Sequence, residues 1–212
     1  MQAVAEETAQ ESAQEPAQKA ARILLVDDHP IVREGLTRII NRQSDMLVCA
    51  EAGSVAEALK KVLGSDPDLV IMDLTLDGSL AGLELIKAIA ARFPGLPTLV
   101  HSMHDEQVYA ERVLKAGARG YVTKASTLTT LLAAIREVRA SGLYLSESVS
   151  ATVMRRYFRG EESGEPSVSA LSNRELEVFA METHRSNIKE KLSLPNSAAL
   201  MKRAVQWVLE NK

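Results

Sequence analysis

The chain has 212 residues, 46% of them hydrophobic, with 25 Lys and Arg against 28 Asp and Glu for a net charge of −3. This is an ordinary globular composition, with apolar material for one full domain and a smaller one. No whole-molecule field draws it to nucleic acid or an anionic membrane, and no apolar run is long enough to span a bilayer. The single cysteine, Cys49, excludes an internal disulfide; it reads as a small buried hydrophobe in a protein of the reducing cytoplasm.

Residues 1–21 are rich in Ala, Gln and Glu, with Pro16 and almost nothing large to bury. They lack the basic start and apolar centre of a secretory signal and are expected to form a disordered tail. From Arg22 to Ser141, short apolar runs alternate with amphipathic stretches, which predicts an α/β domain with a five-stranded, parallel, doubly wound sheet.

The runs are Ile23 to Asp27, Leu47 to Glu51, Leu69 to Asp73, Thr98 to Ser102 and Gly120 to Thr123. The first helix opens at Pro30 and is expected to bury Ile31, Leu36, Ile39 and Ile40 on one face. The second opens on a Ser54/Glu57 capping box and is expected to close on Gly64. The third carries Leu85, Ile89 and Phe93 before Pro94; the fourth runs from acids near Asp105 to Lys115 and Gly117. The fifth carries Leu128, Leu131, Leu132, Ile135 and Val138 as its buried stripe.

Ligands of an open parallel sheet gather at the carboxyl ends of its strands, where the strand order reverses. Asp27 and Asp28 end the first run and Asp73 ends the third, so neighbouring strands would bring three carboxylates together. Such crowding calls for a cation, and hard Mg²⁺ suits carboxylate oxygens. Ser102 ends the fourth run and Lys124 follows the fifth. A carboxylate nucleophile, a metal, a hydroxyl and an ammonium are the parts that phosphoryl transfer to aspartate requires. Singly, each residue serves equally well as a helix cap, a turn residue or surface; their conjunction at separate strand ends favours the chemical reading.

In "LLVDDHPIVREGL", "LVIMDLTLDGS", "LVHSMHDE" and "GYVTKAS" the chain resembles two-component response regulators of the NarL/FixJ class over Arg22 to about Ser141. The resemblance implies a flavodoxin-like receiver domain, residues 22–141, in which a sensor histidine kinase phosphorylates Asp73. It implies Mg²⁺ ligation by Asp28, Asp73 and the Thr75 carbonyl, with Asp27 acting through water. Ser102 and Lys124 would bind phosphoryl oxygens, and Tyr121 would be the aromatic that rotates inward; otherwise Tyr121 is a half-buried strand aromatic with its hydroxyl in water. The loop "LTLDGSLAG" departs from the family in lacking its usual proline. Thr75 stands where phosphatases of the haloacid dehalogenase type carry a second Asp as general acid, so a switch is expected rather than an enzyme.

Residues 142–169 read as a helix, Val149 to Phe158, and a linker rich in Gly, Ser and Glu. Residues 170–212 resemble a small all-α LuxR-type helix-turn-helix domain. "LSNRELEVF" matches its first helix, "METHRSNIKEKLSL" most of its recognition helix and "NSAALMKRAVQWVLENK" its last helix, from about Ser197. About twenty residues of the family pattern are missing between Ala180 and Met181. The resemblance implies base-edge contacts by Thr183 and Ser186 and phosphate contacts by Arg185, Lys189 and Lys191; otherwise these residues form a solvated polar face. Two functions are carried forward: DNA-binding transcriptional regulation, with homodimers forming on phosphorylation, or a receiver that signals through protein contacts alone.

Overall fold

The computed structural model describes residues 19–159, 186 and 188–210. In chain order these form β1 (Ala21–Val26), α1 (Pro30–Ile40), β2 (Met46–Ala52), α2 (Val55–Ser65), β3 (Leu69–Met72), α3 (Ala81–Arg92) and β4 (Thr98–Ser102). Next come α4 (Glu106–Lys115), β5 (Gly120–Thr123), α5 (Leu128–Ser141), α6 (Glu147–Arg159) and α7 (Ser197–Glu210).

The strands form one parallel sheet in the order β2-β1-β3-β4-β5, so the order reverses between β1 and β3. Side chains alternate across each strand. Leu24 and Val26 join the core beneath α2, α3 and α4, whereas Ile23 and Leu25 join the core beneath α1 and α5. Every residue of β3 and β4 is buried, as central strands covered on both faces require. The β1–β2 register slips after Ile23, which pairs with Val48 while Leu24 pairs with Ala50. Cys49 is the extra residue of that bulge and is half-buried rather than buried, with burial pushing its thiol pKa up.

Three helix expectations are corrected. Ile31 is 85% exposed although Leu36 and Ile40 are buried; at about 100° per residue it lies on the side of α1 opposite Ile40. Leu128, in the first turn of α5, is exposed and Leu132 half-buried, so Leu131, Ala134, Ile135 and Val138 make the buried stripe. Gly64 lies inside α2, which ends one residue later with Asp66 in the left-handed region. The Ser54/Glu57 box does form: Ser54 Oγ accepts from the Glu57 amide at 3.3 Å, and Glu57 Oε2 accepts from the Gly53 amide at 2.9 Å.

Beyond α5 the chain stays on the sheet's edge. Tyr144 bridges to Gly120 and its amide donates to the Arg119 carbonyl. Val149 of α6 is buried in the cluster that holds Tyr109 and Tyr121, and Ser148 Oγ donates to Glu106 Oε2 at 3.1 Å. The α6 helix thereby packs on α4.

Candidate functional site

The site is set at the carboxyl ends of the strands, at the reversal of strand order. Asp27 and Asp28 follow β1, Asp73 follows β3, Ser102 ends β4 and Lys124 follows β5. The sheet therefore brings together the five residues that the sequence placed at strand ends. Lys124 Nζ donates to Asp27 Oδ2 and to Asp73 Oδ2, each at 2.6 Å. Its side chain is 10% exposed and both carboxylates are 5% exposed, which sets aside the reading of Lys124 as surface. Burial pulls the Lys124 ammonium pKa down, but its bonds to Asp27 and Asp73 outweigh burial and hold it above the ordinary value.

Around this centre the backbone does much of the positioning. Asp27 Oδ1 accepts from the His29 amide at 2.8 Å, and Arg33 from α1 donates to the Asp27 carbonyl. Neither Asp27 nor Asp28 caps α1, whose N-cap His29 makes no side-chain capping bond. Asp28 Oδ2 accepts from the Asp77 amide at 3.0 Å. That amide sits at the tip of a tight hairpin in which Leu76 and Ser79 exchange backbone bonds across Asp77 (φ 53°) and Gly78 (φ 72°). Positive φ at both central residues makes this a type I′ turn, for which Asp-Gly is a favoured pair. The loop that lacks the family's proline thus has its own local order and reaches back to the acidic cluster. Gly82 opens the next helix where any Cβ would collide with the Asp73 and Leu74 carbonyls, so only glycine lets α3 start there.

Asp27, Asp28, His29 and Asp73 each offer a ligand atom within 4.8 Å of the others. Asp28 Oδ1 is buried without a hydrogen bond among the described residues, although His29 Nδ1 lies 2.8 Å from it. Three carboxylates against one ammonium leave an excess of two negative charges. Hard oxygens, an under-served oxygen and that excess charge fit a divalent cation such as Mg²⁺. Thr75 follows closely, its amide 3.3 Å from Asp73 Oδ1.

Ser102 Oγ is buried beside the Tyr121 hydroxyl and makes no hydrogen bond of good geometry among the described residues. It does not cap α4; Asp105 does, accepting from the Gln107 amide at 2.8 Å. Tyr121 is buried, and its hydroxyl donates to the His104 carbonyl at 2.9 Å rather than to water. Burial raises the Tyr121 pKa, so the phenol stays protonated. Three contributors were not legible as site residues. His104 Nε2 lies 2.7 Å from Thr75 Oγ1 and its ring packs on Tyr109 at 4.7 Å. His29 sits between Asp27 and Asp28, and His101 lies beneath the cluster. Position alone hints at them: His29 and His104 each follow a strand end by two or three residues.

In the C-terminal region, Ser186 is helical and exposed, Lys189 half-buried and Lys191 exposed, all in helical backbone. Thr183, Arg185 and the Ala180–Met181 junction lie outside the described residues. Met201, Val205 and Trp207 of α7 are exposed. Among the described residues no helix is long and apolar enough to cross a membrane.

Comparison with known proteins gives a match of residues 23–136 to the response regulator receiver domain. The chain is 31% identical to the oxygen regulatory protein NreC of Staphylococcus epidermidis over 211 residues, covering 87% of this chain and 97% of NreC. It is 38% identical to the transcriptional activator protein ExaE of Pseudomonas putida over 159 residues, 75% of this chain and 74% of ExaE. Among solved structures, a LuxR-family two-component response regulator from Aurantimonas matches with a TM-score of 0.59 at 38% identity, covering 66% of this chain and 99% of that one. The NreC match takes in about 184 residues of this chain against 211 aligned positions, so NreC carries about 27 positions that this chain lacks within the matched span.

Proposed function

The chain belongs to the response regulator receiver domain family, and from that premise we propose that Asp73 accepts a phosphoryl group from the phosphohistidine of a sensor histidine kinase. The observation that carries this reading is the Lys124 ammonium holding Asp27 and Asp73 together beside Asp28 and the buried Ser102 hydroxyl. In the transfer, an Asp73 carboxylate oxygen attacks phosphorus while the bond from phosphorus to the imidazole nitrogen breaks. The resulting acyl phosphate later loses its phosphoryl group to water. Thr75 supplies no carboxyl acid for a leaving group, which supports a timed switch over a turnover catalyst.

Asp28, Asp73 and the Thr75 carbonyl would hold Mg²⁺, with Asp27 acting through water. When bound, the ion would neutralise charge on the phosphoryl oxygens. Ser102 and Lys124 take the remaining phosphoryl oxygens, and movement of Ser102 toward them carries Tyr121 and the His104 carbonyl along. Val149 shares the Tyr121 cluster, so α6 lies where it feels that movement.

The output is phosphorylation-dependent regulation of transcription by a cytoplasmic protein that dimerises when phosphorylated. The likeness to a transcriptional activator and to a LuxR-family regulator supports it. Thr183 and Ser186 read bases, while Arg185, Lys189 and Lys191 contact phosphates. The shortfall of about 27 positions against NreC is close in size to the segment expected to be missing between Ala180 and Met181. The test of the receiver is labelling by a small phosphodonor with Mg²⁺. The chain takes up one phosphoryl group and Asp73→Ala takes up none; full labelling of Asp73→Ala refutes the assignment.

A further inference from the structure

Four strand ends feed the site directly. The edge strand β2 brings no reacting group, yet Glu51, the acid that closes its apolar run, stands one residue before its end. Two side chains of α1 reach across to it. Thr37 Oγ1 donates to Glu51 Oε1 at 2.8 Å, and Arg33 Nε donates to Glu51 Oε2 at 3.4 Å. Arg33 and Thr37 are four residues apart on α1 and so share one face, and between them they hold both carboxylate oxygens. Arg33 then continues inward, where Nη1 donates to the Asp27 carbonyl. Its side chain is 18% exposed, whereas that of Arg38 on the same helix is 74% exposed, so Arg33 is no part of the solvated face.

The bond to Asp27 falls where the chain leaves the sheet. The Asp27 amide still donates to the Ala52 carbonyl at the end of β2, at 3.1 Å. The Asp27 carbonyl is held by Arg33 instead, and that carbonyl belongs to the planar peptide that joins Asp27 to Asp28. Turning this peptide swings the two carboxylates relative to each other, so the group that pins its oxygen sets the geometry of the pair. Lys124 and the Asp77 amide hold the carboxylates themselves. Arg33 holds the backbone between them. Because Glu51 pairs with Arg33, the arrangement adds no net charge, and the cluster's excess of negative charge is left for a cation.

We propose that Thr37, Glu51 and Arg33 form a strut, built from α1 and the end of β2, that fixes the Asp27–Asp28 peptide for a divalent cation. Arg33 and Glu51 are positioning residues: Arg33 acts through the backbone of Asp27, Glu51 acts through Arg33, and neither touches the cation. Groups one step removed from a metal's ligands orient those ligands, and their loss lowers affinity about ten- to a hundredfold. The inference rests on the Mg²⁺ reading above and extends it to the strand that supplies no reacting residue.

Calorimetric titration of the full chain with Mg²⁺ separates this role from its alternatives by the sign of the effect. Arg33→Met keeps the aliphatic stem but loses the bond to Asp27, and is expected to weaken Mg²⁺ binding about tenfold. If Arg33 acted only through its charge, the same change would remove a neighbouring cation and tighten Mg²⁺ binding. Arg33→Lys keeps the charge and the fold but has one ammonium for two partners, and is expected to weaken binding about threefold, where a charge-only role leaves it unchanged. Glu51→Gln, at a half-exposed edge position, frees Arg33 and is also expected to weaken binding about threefold. Once Arg33 is gone Glu51 has nothing to hold, so Arg33→Met/Glu51→Gln should match Arg33→Met within about twofold. A merely structural role predicts lower thermal midpoints with Mg²⁺ affinity unchanged. Unchanged or tighter Mg²⁺ binding in Arg33→Met or Arg33→Lys, or single effects that add in the double variant, overturns the strut while the metal reading stands. A wild-type chain that binds no Mg²⁺ overturns the metal reading and the strut together.

Discussion

Lys124 holds two buried carboxylates with one ammonium, so removing it leaves Asp27 and Asp73 facing each other uncompensated. Breaking a buried pair by deleting one partner costs several kcal/mol. Lys124→Ala is therefore expected to lose about 3 kcal/mol in urea unfolding, with part of the loss restored by Mg²⁺; stability equal to wild type would show that the pair is not buried in solution. His101 gives a pH signature of its own. Burial depresses its pKa from 6.5 to about 4 in the folded chain, so in between those values the unfolded chain binds the extra proton. Its contribution is fully present above about pH 6.5 and is lost as pH falls toward 4, a change on the order of 3 kcal/mol. Unfolding curves across that window should fall less steeply for His101→Leu than for wild type. The acids and Lys124 were legible because each ends or follows an apolar run. His101 and His104 were not, since a ring's partners come from other strands and loops.

At the scale of elements, the Asp77–Gly78 hairpin and α6 are the parts most specific to this chain. Gly78 has φ 72°, so Gly78→Val places a β-branched side chain in the left-handed region at a cost of about 1–2 kcal/mol. Because the neighbouring Asp77 amide holds Asp28, the same change should also weaken Mg²⁺ binding, and calorimetry on that variant checks both. Val149 is 6% exposed beneath α4, and Val149→Ala is expected to cost about 2 kcal/mol. A value near zero would mean that α6 is undocked in solution. All five strands were legible as apolar runs, with ends within two residues of the observed ones, and the run is clearest in β3 and β4, central strands buried on both faces. Helix faces were harder to read. In α1, counting apolar residues without their angles put Ile31 with Ile40, although nine residues turn the helix to its opposite side. The Asp-Gly pair was visible in the sequence, but the bond to Asp28 joins residues 49 apart, a distance that local pattern does not span.

For the whole molecule, the receiver is close to neutral, with 14 Lys or Arg against 15 Asp or Glu over residues 22–141, and the C-terminal segment is weakly positive. Residues 171–212 carry seven Lys or Arg against five Asp or Glu, so DNA binding is expected to rest on few phosphate contacts and to fall only shallowly with salt. Lys189→Ala and Lys191→Ala should each lower the salt slope of promoter binding by about one, measured by mobility shift with phosphodonor present; an unchanged slope would place the phosphate contacts elsewhere. Asp73 is the residue predicted to carry the phosphoryl group. Borohydride reduction of the phosphodonor-treated chain converts an aspartyl phosphate to homoserine, which peptide mass mapping locates. Homoserine at position 73, dependent on Mg²⁺, is the predicted result; homoserine at Asp27 or Asp28, or none anywhere under conditions where the fold is intact, would contradict it.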